Sequence, residues 1–238
     1  MAVIPWLYKW ASRCFRNEPA RKLKDFLRPV KHALVGKNGI YKAIEVVGEL
    51  QKKKGREVKV IFDIGAAIGE AALPMLRAFP GAEVYCFEPL PGSFAKLKER
   101  TKCFAERIHY FNYGLYNRSG ESKFYVWENH HDGSSVIRPP ATQKNREISI
   151  TVRKLDGVIK ELGIKHIDFM KIDVEGAEKE MLGGAKEALR RTDNVFVEIS
   201  PNRKGYNRDY IDVFEYLHAA GLPLVGVYGD YFFTRLIT

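Results

Sequence analysis

Short apolar runs rich in β-branched residues alternate along most of this chain with stretches whose apolar positions recur at helical spacing. The runs at 58–63, 83–88, 108–112, 121–127, 148–152, 167–172, 195–199, 224–228 and 231–237 read as strands. Between them, helices are expected from about Glu70 to Phe79, after Pro91 with Phe94 and Leu97 inward, after Glu178 to about Arg190, and over 209–220. Pro74 suits the first of these only in its opening turn. Strands that alternate with helices in this way imply a mostly parallel sheet covered on both faces. The last two strands read as a hairpin around Gly229-Asp230. Ahead of this pattern, Leu7, Trp10 and Cys14, then Leu23, Phe26 and Leu27, suggest two short amphipathic helices. Ile40, Ile44, Val47 and Leu50 suggest a third, closed by Lys52-Lys53-Lys54-Gly55. The division expected is a helical extension over residues 1–57 and an α/β domain over 58–238.

The first strand ends in a distinctive way. Asp63 is followed by Gly65 and Gly69 at D-x-G-x-x-x-G spacing, with a helix expected directly afterwards. A glycine at that turn removes the Cβ that would keep a ligand from the backbone, and the helix start offers N–H groups. Ala66 and Ala67 fill the space between the glycines, so this is not the G-x-G-x-x-G of a dinucleotide site. The acidic Asp63 suits a cationic amine. Glu88 ends the next strand 25 residues after Asp63, where a carboxylate takes ribose hydroxyls. A ligand with an ammonium group and a nucleoside, such as S-adenosylmethionine, satisfies both.

Composition narrows the class. The chain has 238 residues, 45% hydrophobic and 29% charged, which reads as soluble and globular. No apolar run reaches the ~18 residues of a membrane span. The start of the chain lacks the residue order of a secretory signal. Cys14, Cys86 and Cys103 are odd in number and far apart, as expected of reduced thiols in the cytosol. The net charge of +10 is uneven: residues 1–31 hold eight lysines and arginines against two acidic residues, a net +6. Such an arm attracts anionic surfaces, including a membrane, to which the protein would be peripheral; a solvated helix face is the bland alternative.

The expected strand ends carry Asp63, Glu88, Asn112, Asp173 with Glu175, and Glu198, and in an open parallel sheet ligands sit beyond those ends. Asp173 and Glu175, around the turn-forming Gly176, are candidates to position or deprotonate a hydroxyl acceptor. Helix capping by Glu175 and Glu178 is the structural alternative. His130 and His131 lie in a polar loop and can titrate near neutrality. Asp173, Glu198 and Asn202 offer hard oxygen ligands, but no fixed spacing supports a cation, and no metal is expected. Lys171 alternates out of the buried face of its strand, where an edge cation or a substrate contact is the alternative to the favoured structural use.

The segments F-D-I-G-A-A-I-G-E, V-Y-C-F-E-P-L-P, I-D-F-M-K-I-D-V-E-G-A-E and V-F-V-E-I resemble the FkbM family of S-adenosylmethionine-dependent methyltransferases. The resemblance covers roughly 58–200. It implies a Rossmann-like class I methyltransferase fold: a seven-stranded, mostly parallel α/β sheet with an antiparallel last strand. It also implies O-methylation of a sugar, glycolipid or secondary metabolite. Asp63, Gly65, Ala66 and Gly69 would then hold the methionine part of the cofactor, Glu88 the ribose, and Asn112 with Gly114 the adenine edge. Asp173 and Glu175 would serve the acceptor. The alternatives are an RNA ribose 2′-O-methyltransferase drawn by the basic arm, and a non-catalytic binding module on the same fold.

Overall fold

The computed structural model describes residues 39–127, 136, 145–199, 210–228 and 230–235. The expected helices before residue 38, the loop with His130 and His131, and Asn202 lie outside them. Helix α1 (Gly39–Lys53) leads to β1 (Val60–Ile64), α2 (Ala72–Ala78), β2 (Glu83–Phe87), α3 (Pro91–Thr101) and β3 (Ile108–Phe111). Then come β4 (Gly114–Leu115), β5 (Gly120–Trp127), β6 (Asn145–Arg153), α4 (Leu155–Glu161) and β7 (Ile167–Ile172). The chain continues through α5 (Glu178–Gly183), α6 (Lys186–Arg190), β8 (Thr192–Val197), α7 (Tyr210–Ala219), β9 (Leu224–Tyr228) and β10 (Asp230–Thr234).

The main sheet has the order β3-β2-β1-β7-β8-β10-β9. All neighbours are parallel except β10, which runs antiparallel to both β8 and β9. The strands in its middle are apolar on both sides because both faces are covered. One face packs Phe62, Phe87, Met170 and Val197 against α4, α5, α6 and α7. The other packs Ile61, Cys86, Phe169 and Phe232 against α1, α2 and α3. Helix α1 belongs to that second layer: Ala43 and Val47 are fully buried in it.

Three details differ from the sequence pattern. Residues 121–127 and 148–152 do not join the main sheet. With the two-residue β4 they form a separate sheet of order β4-β6-β5, whose Phe124, Ile150 and Val152 make a small core with Val136. The expected helix up to Arg190 breaks at Gly183-Gly184, because a Cβ on Gly184 would lie 2.1 Å from the Tyr116 carbonyl oxygen. Helix α4 had no counterpart in the reading above; its Leu155, Val158 and Ile159 fill the core.

At the edge where the parallel strands begin, a polar cluster locks α1 to the sheet. Gln51 Nε2 and Lys54 Nζ each donate to Asp193 Oδ2 at 3.2 Å. Asp168 Oδ2 accepts from the backbone amides of Lys59 and Val60 at 2.8 and 2.9 Å. His166 Nε2 stands 3.3 Å from Asp168 and 3.5 Å from Asp193. These carboxylates raise the His166 pKa to about 9. The folded value lies above the unfolded ~6.5, so the stabilisation is complete below about pH 6.5 and is lost as pH rises through about 9. Thermal melts from about pH 6 to 10 are therefore expected to show Tm falling across that window, at about 2–4 °C per kcal/mol for a chain of this size. His166→Gln should remove that part of the fall. The same profile in parent and variant would show that the imidazole carries no such linkage.

Candidate active site

The apolar strands end on a common transverse line, and the next residue on each forms a polar row. Parallel pairing of Ile64 with Phe87 and with Ile172 sets Gly65 beside Glu88 and Asp173. Pairing of Phe87 with Phe111 sets Glu88 beside Asn112, and pairing of Ile172 with Val197 sets Asp173 beside Glu198. Antiparallel pairing of Val197 with Tyr231 sets Glu198 opposite Asp230. The amides of Asp173, Glu198 and Glu88 donate to Ile64, Ile172 and Phe111 across this line at 2.9–3.0 Å. Sheet geometry alone thus gathers these residues at one rim.

A cavity of about 550 Å³ opens over this row. Its walls include six of the nine expected site residues: Gly65, Ala66, Glu88, Gly114, Asp173 and Glu175. The small second sheet contributes Phe124, Ile150 and Val152, and the start of α1 contributes Ile40 and Tyr41. Asp63, Gly69 and Asn112 are not part of the wall. Asn112 Nδ2 instead donates to the carbonyls of Glu88 and Pro89 at 2.9 and 3.2 Å, bracing the end of β2.

The glycines have a different reason from the one the sequence suggested. Gly65 has φ +75°, and a Cβ there would lie 1.7 Å from the Asp173 carbonyl oxygen. Gly69 has φ +87°, and its Cβ would lie 2.9 Å from Leu97 Cδ1. Both positions are closed by protein. The turn also uses its own donors: Gly65 and Ala66 amides bond Phe87 O, Gly69 bonds Ala66 O, and Ala67 bonds Glu88 Oε2. Helix α2 starts only at Ala72. Four amides of the turn are thus already bonded within the protein.

Glu88 is 7% exposed. Its oxygens accept from the amides of Ala67 at 2.9 Å and Leu90 at 2.7 Å. Burial pushes its pKa up to about 7, with those two amides opposing. Each oxygen keeps a second lone pair for a hydroxyl. Asp63 is fully buried, and burial raises its pKa against the pull of Lys171 and the Ala72 amide. Lys171 Nζ lies 3.7 Å from Asp63 Oδ1 and donates to Asp173 Oδ2 and Gly65 O, both at 3.0 Å. Burial opposes its charge, yet Asp173 and Asp63 outweigh burial and raise its pKa. Two non-glycine residues with left-handed backbone, Ala67 (φ +46°) and Glu175 (φ +55°), both line the cavity. Such conformations are costly and collect at functional sites.

Among the described residues the cavity wall holds six carboxylates, Glu70, Glu88, Asp173, Glu175, Glu198 and Asp230, against one ammonium, Lys171. The sequence reading undervalued Lys171 and treated Asp230 as a turn residue. The signal for Asp230 was the antiparallel last strand, which begins where the parallel strands end. A polar, acidic cavity of this volume lies in the range of small-molecule sites. It fits S-adenosylmethionine, whose sulfonium and ammonium are cations and whose ribose needs hydroxyl acceptors.

The order of the seven strands and the polar rim define a Rossmann-like class I methyltransferase fold. A Klebsiella pneumoniae protein provisionally assigned as an O-methyltransferase shares it, with TM-score 0.50 and 12% identity over 97% of both chains. The chain belongs to the FkbM family: the Methyltransferase FkbM domain matches residues 63–222. S-adenosylmethionine is the cofactor that membership implies. The 2-O-methyltransferase NoeI of Sinorhizobium fredii is 31% identical over 154 residues, 59% of this chain and 63% of NoeI. The hexuronic acid methyltransferase AglP of Haloferax volcanii is 28% identical over 149 residues, 62% of this chain and 58% of AglP. The chain thus spans less than two thirds of either relative. Among the described residues no helix is long and apolar enough to cross a membrane.

The Gly65 contact can be tested directly. Gly65→Ala drives a methyl group into the Asp173 carbonyl and adds left-handed strain of roughly 1–2 kcal/mol. Urea unfolding is expected to show a loss of at least about 2 kcal/mol. Gly92→Ala is the control: nothing lies within 4 Å of its Cβ. Equal stability of both variants would show that β1 and β7 do not need the close approach.

Proposed function

We propose that this chain transfers the methyl group of S-adenosylmethionine to a hydroxyl oxygen of a sugar, glycolipid or secondary metabolite. The observation that carries the reading is the row Glu88–Gly65–Asp173–Glu198 at the rim of the cavity in a chain of the FkbM family. Glu88 would accept from the ribose, and Gly65, Ala66 and Gly114 would form the surface against the nucleoside and methionine parts. Asp63 would act from behind the wall, as a buried negative charge toward the cofactor's cations. Gly69 and Asn112 would hold the turn and the end of β2 in shape. Asp173 and Glu175 would orient the acceptor. The bound cofactor supplies an already activated methyl group, so the chain's task is to align the acceptor oxygen, keep water out and receive a proton.

NoeI and AglP, by their names, act at a 2-O position and on a hexuronic acid, which supports a sugar-like acceptor. The excess of carboxylates disfavours a polyanion such as RNA, and the intact Glu88 and Asp173 disfavour a non-catalytic module. The basic arm of residues 1–31 would bring the protein to an anionic membrane surface that bears lipid-linked acceptors.

Incubation with radiolabelled S-adenosylmethionine and a cell extract, followed by separation of lipid, glycan, RNA and protein, should put the label in glycan or glycolipid. Label in RNA would support the ribose reading instead. Glu88→Gln is expected to weaken cofactor binding by about 1.5–3 kcal/mol, roughly 10- to 150-fold, with the fold retained. Calorimetry giving equal affinity for parent and variant would mean that the ribose lies elsewhere.

A further inference from the structure

Two carboxylates stand opposite each other at the rim. The β8–β10 register pairs Val197 with Tyr231, so one step further Glu198 stands directly opposite Asp230. Positions opposite one another in an antiparallel pair have Cβ atoms about 4.5–5.5 Å apart, and like charges there repel. Both residues line the cavity. Among the described residues neither has an ion-pair partner, whereas Asp173 on the adjacent strand accepts a hydrogen bond from Lys171 at 3.0 Å. We propose that Glu198 and Asp230 work as one carboxyl pair that shares a proton when the site is empty and, fully ionised beside the cationic cofactor, receives the proton of the acceptor hydroxyl.

The proposal rests on the methyl-transfer reading above. The balance is simple. The acceptor oxygen forms its bond to the methyl carbon as the sulfur–carbon bond breaks, and that bond's electron pair stays with sulfur. The hydroxyl proton passes to a carboxylate oxygen of the pair, so no further reactant is needed. Asp173 is less suited, because its charge is already matched by Lys171. The surroundings agree. Burial, Asp173 and Asp230 push Glu198 up to about 7, with Lys171 opposing and Glu178 adding slightly. Burial and Asp173 push Asp230 up to about 6, again against Lys171. Among the described residues, the charged groups that reach the pair are Asp173 and Lys171 at the end of β7 and Glu178 from α5. Two close carboxyls that cannot both ionise cheaply share one proton near neutrality.

The test needs no acceptor. Calorimetry at about pH 6.5, in two buffers with different heats of protonation, counts the protons released on binding. Parent protein is expected to release roughly one more proton with S-adenosylmethionine than with S-adenosylhomocysteine, which lacks the sulfonium charge. Glu198→Gln and Asp230→Asn should each abolish the difference, because either one dissolves the pair. A difference that persists in both variants overturns the proposal. The parent also gives an independent reading, by NMR titration of ¹³C-labelled carboxyl groups without ligand. Glu198 should titrate in two steps, and a single step below about pH 5 overturns the pair as well. Failure of the parent to bind either molecule would overturn the methyl-transfer reading, leaving the pair to be judged by its own titration.

Discussion

A buried ammonium fixes the geometry of this rim. Lys171 is 7% exposed and joins Asp63 on β1, Asp173 at the end of β7 and the Gly65 carbonyl. Asp63 and Lys171 pair directly in the β1–β7 register, so their side chains leave the sheet on the same face. Such a network is not a strong source of stability, since an apolar replacement of the whole set can cost nothing. Removal of one partner alone is different, because about 3–5 kcal/mol is typical when a buried charge is stranded. What the network supplies is placement. It holds the Asp173 loop so close to the first turn that only glycine fits at position 65.

From that point the site follows from sheet geometry. Phe111, Phe87, Ile64, Ile172, Val197 and Tyr231 form the last apolar row; the rim row starts one residue later on each parallel strand and one residue earlier, at Asp230, on the antiparallel β10. The cavity needs a wall on the other side. Phe124, Ile150 and Val152 of the second sheet supply it, together with the start of α1. The second sheet is anchored by the two-residue β4, which follows directly on β3 and pairs Gly114 with Val152. A Cβ at Gly114 would meet the Ile150 and Val152 side chains at 3.4 Å, so this position packs directly against the wall.

Much of the main sheet was legible because each strand is a local apolar run bounded by turn residues. The family motif was legible because its acidic and glycine positions lie close in sequence. What escaped depends on contacts between distant residues. The second sheet pairs residues 120–127 with 145–152, which nothing local encodes. The break before α6 lies where Gly184 packs against the backbone of Tyr116, a residue far from it in sequence. Gly65 and Gly69 were found, but their reason was misread: protein, not ligand, fills the Cβ space. Asp63 was read as exposed to a ligand, but its register partner Lys171 draws it into the interior. Asp230 escaped because a hairpin residue looks like a turn until the direction of β10 puts it on the rim.

Charge separates the parts of the chain that whole-molecule counting merges. The surplus of +10 describes the sequence, yet the cavity wall carries six carboxylates and one ammonium among the described residues. Exposed charges beyond a Debye length, about 10 Å at 0.1 M salt, are largely screened. Inside the cavity the screening is weaker, and a unit charge about 8 Å away still acts with roughly 2 kcal/mol at an effective dielectric near 20. An acidic wall therefore distinguishes the two forms of the proposed cofactor by charge alone. It favours the sulfonium before transfer and holds the neutral thioether less well afterwards.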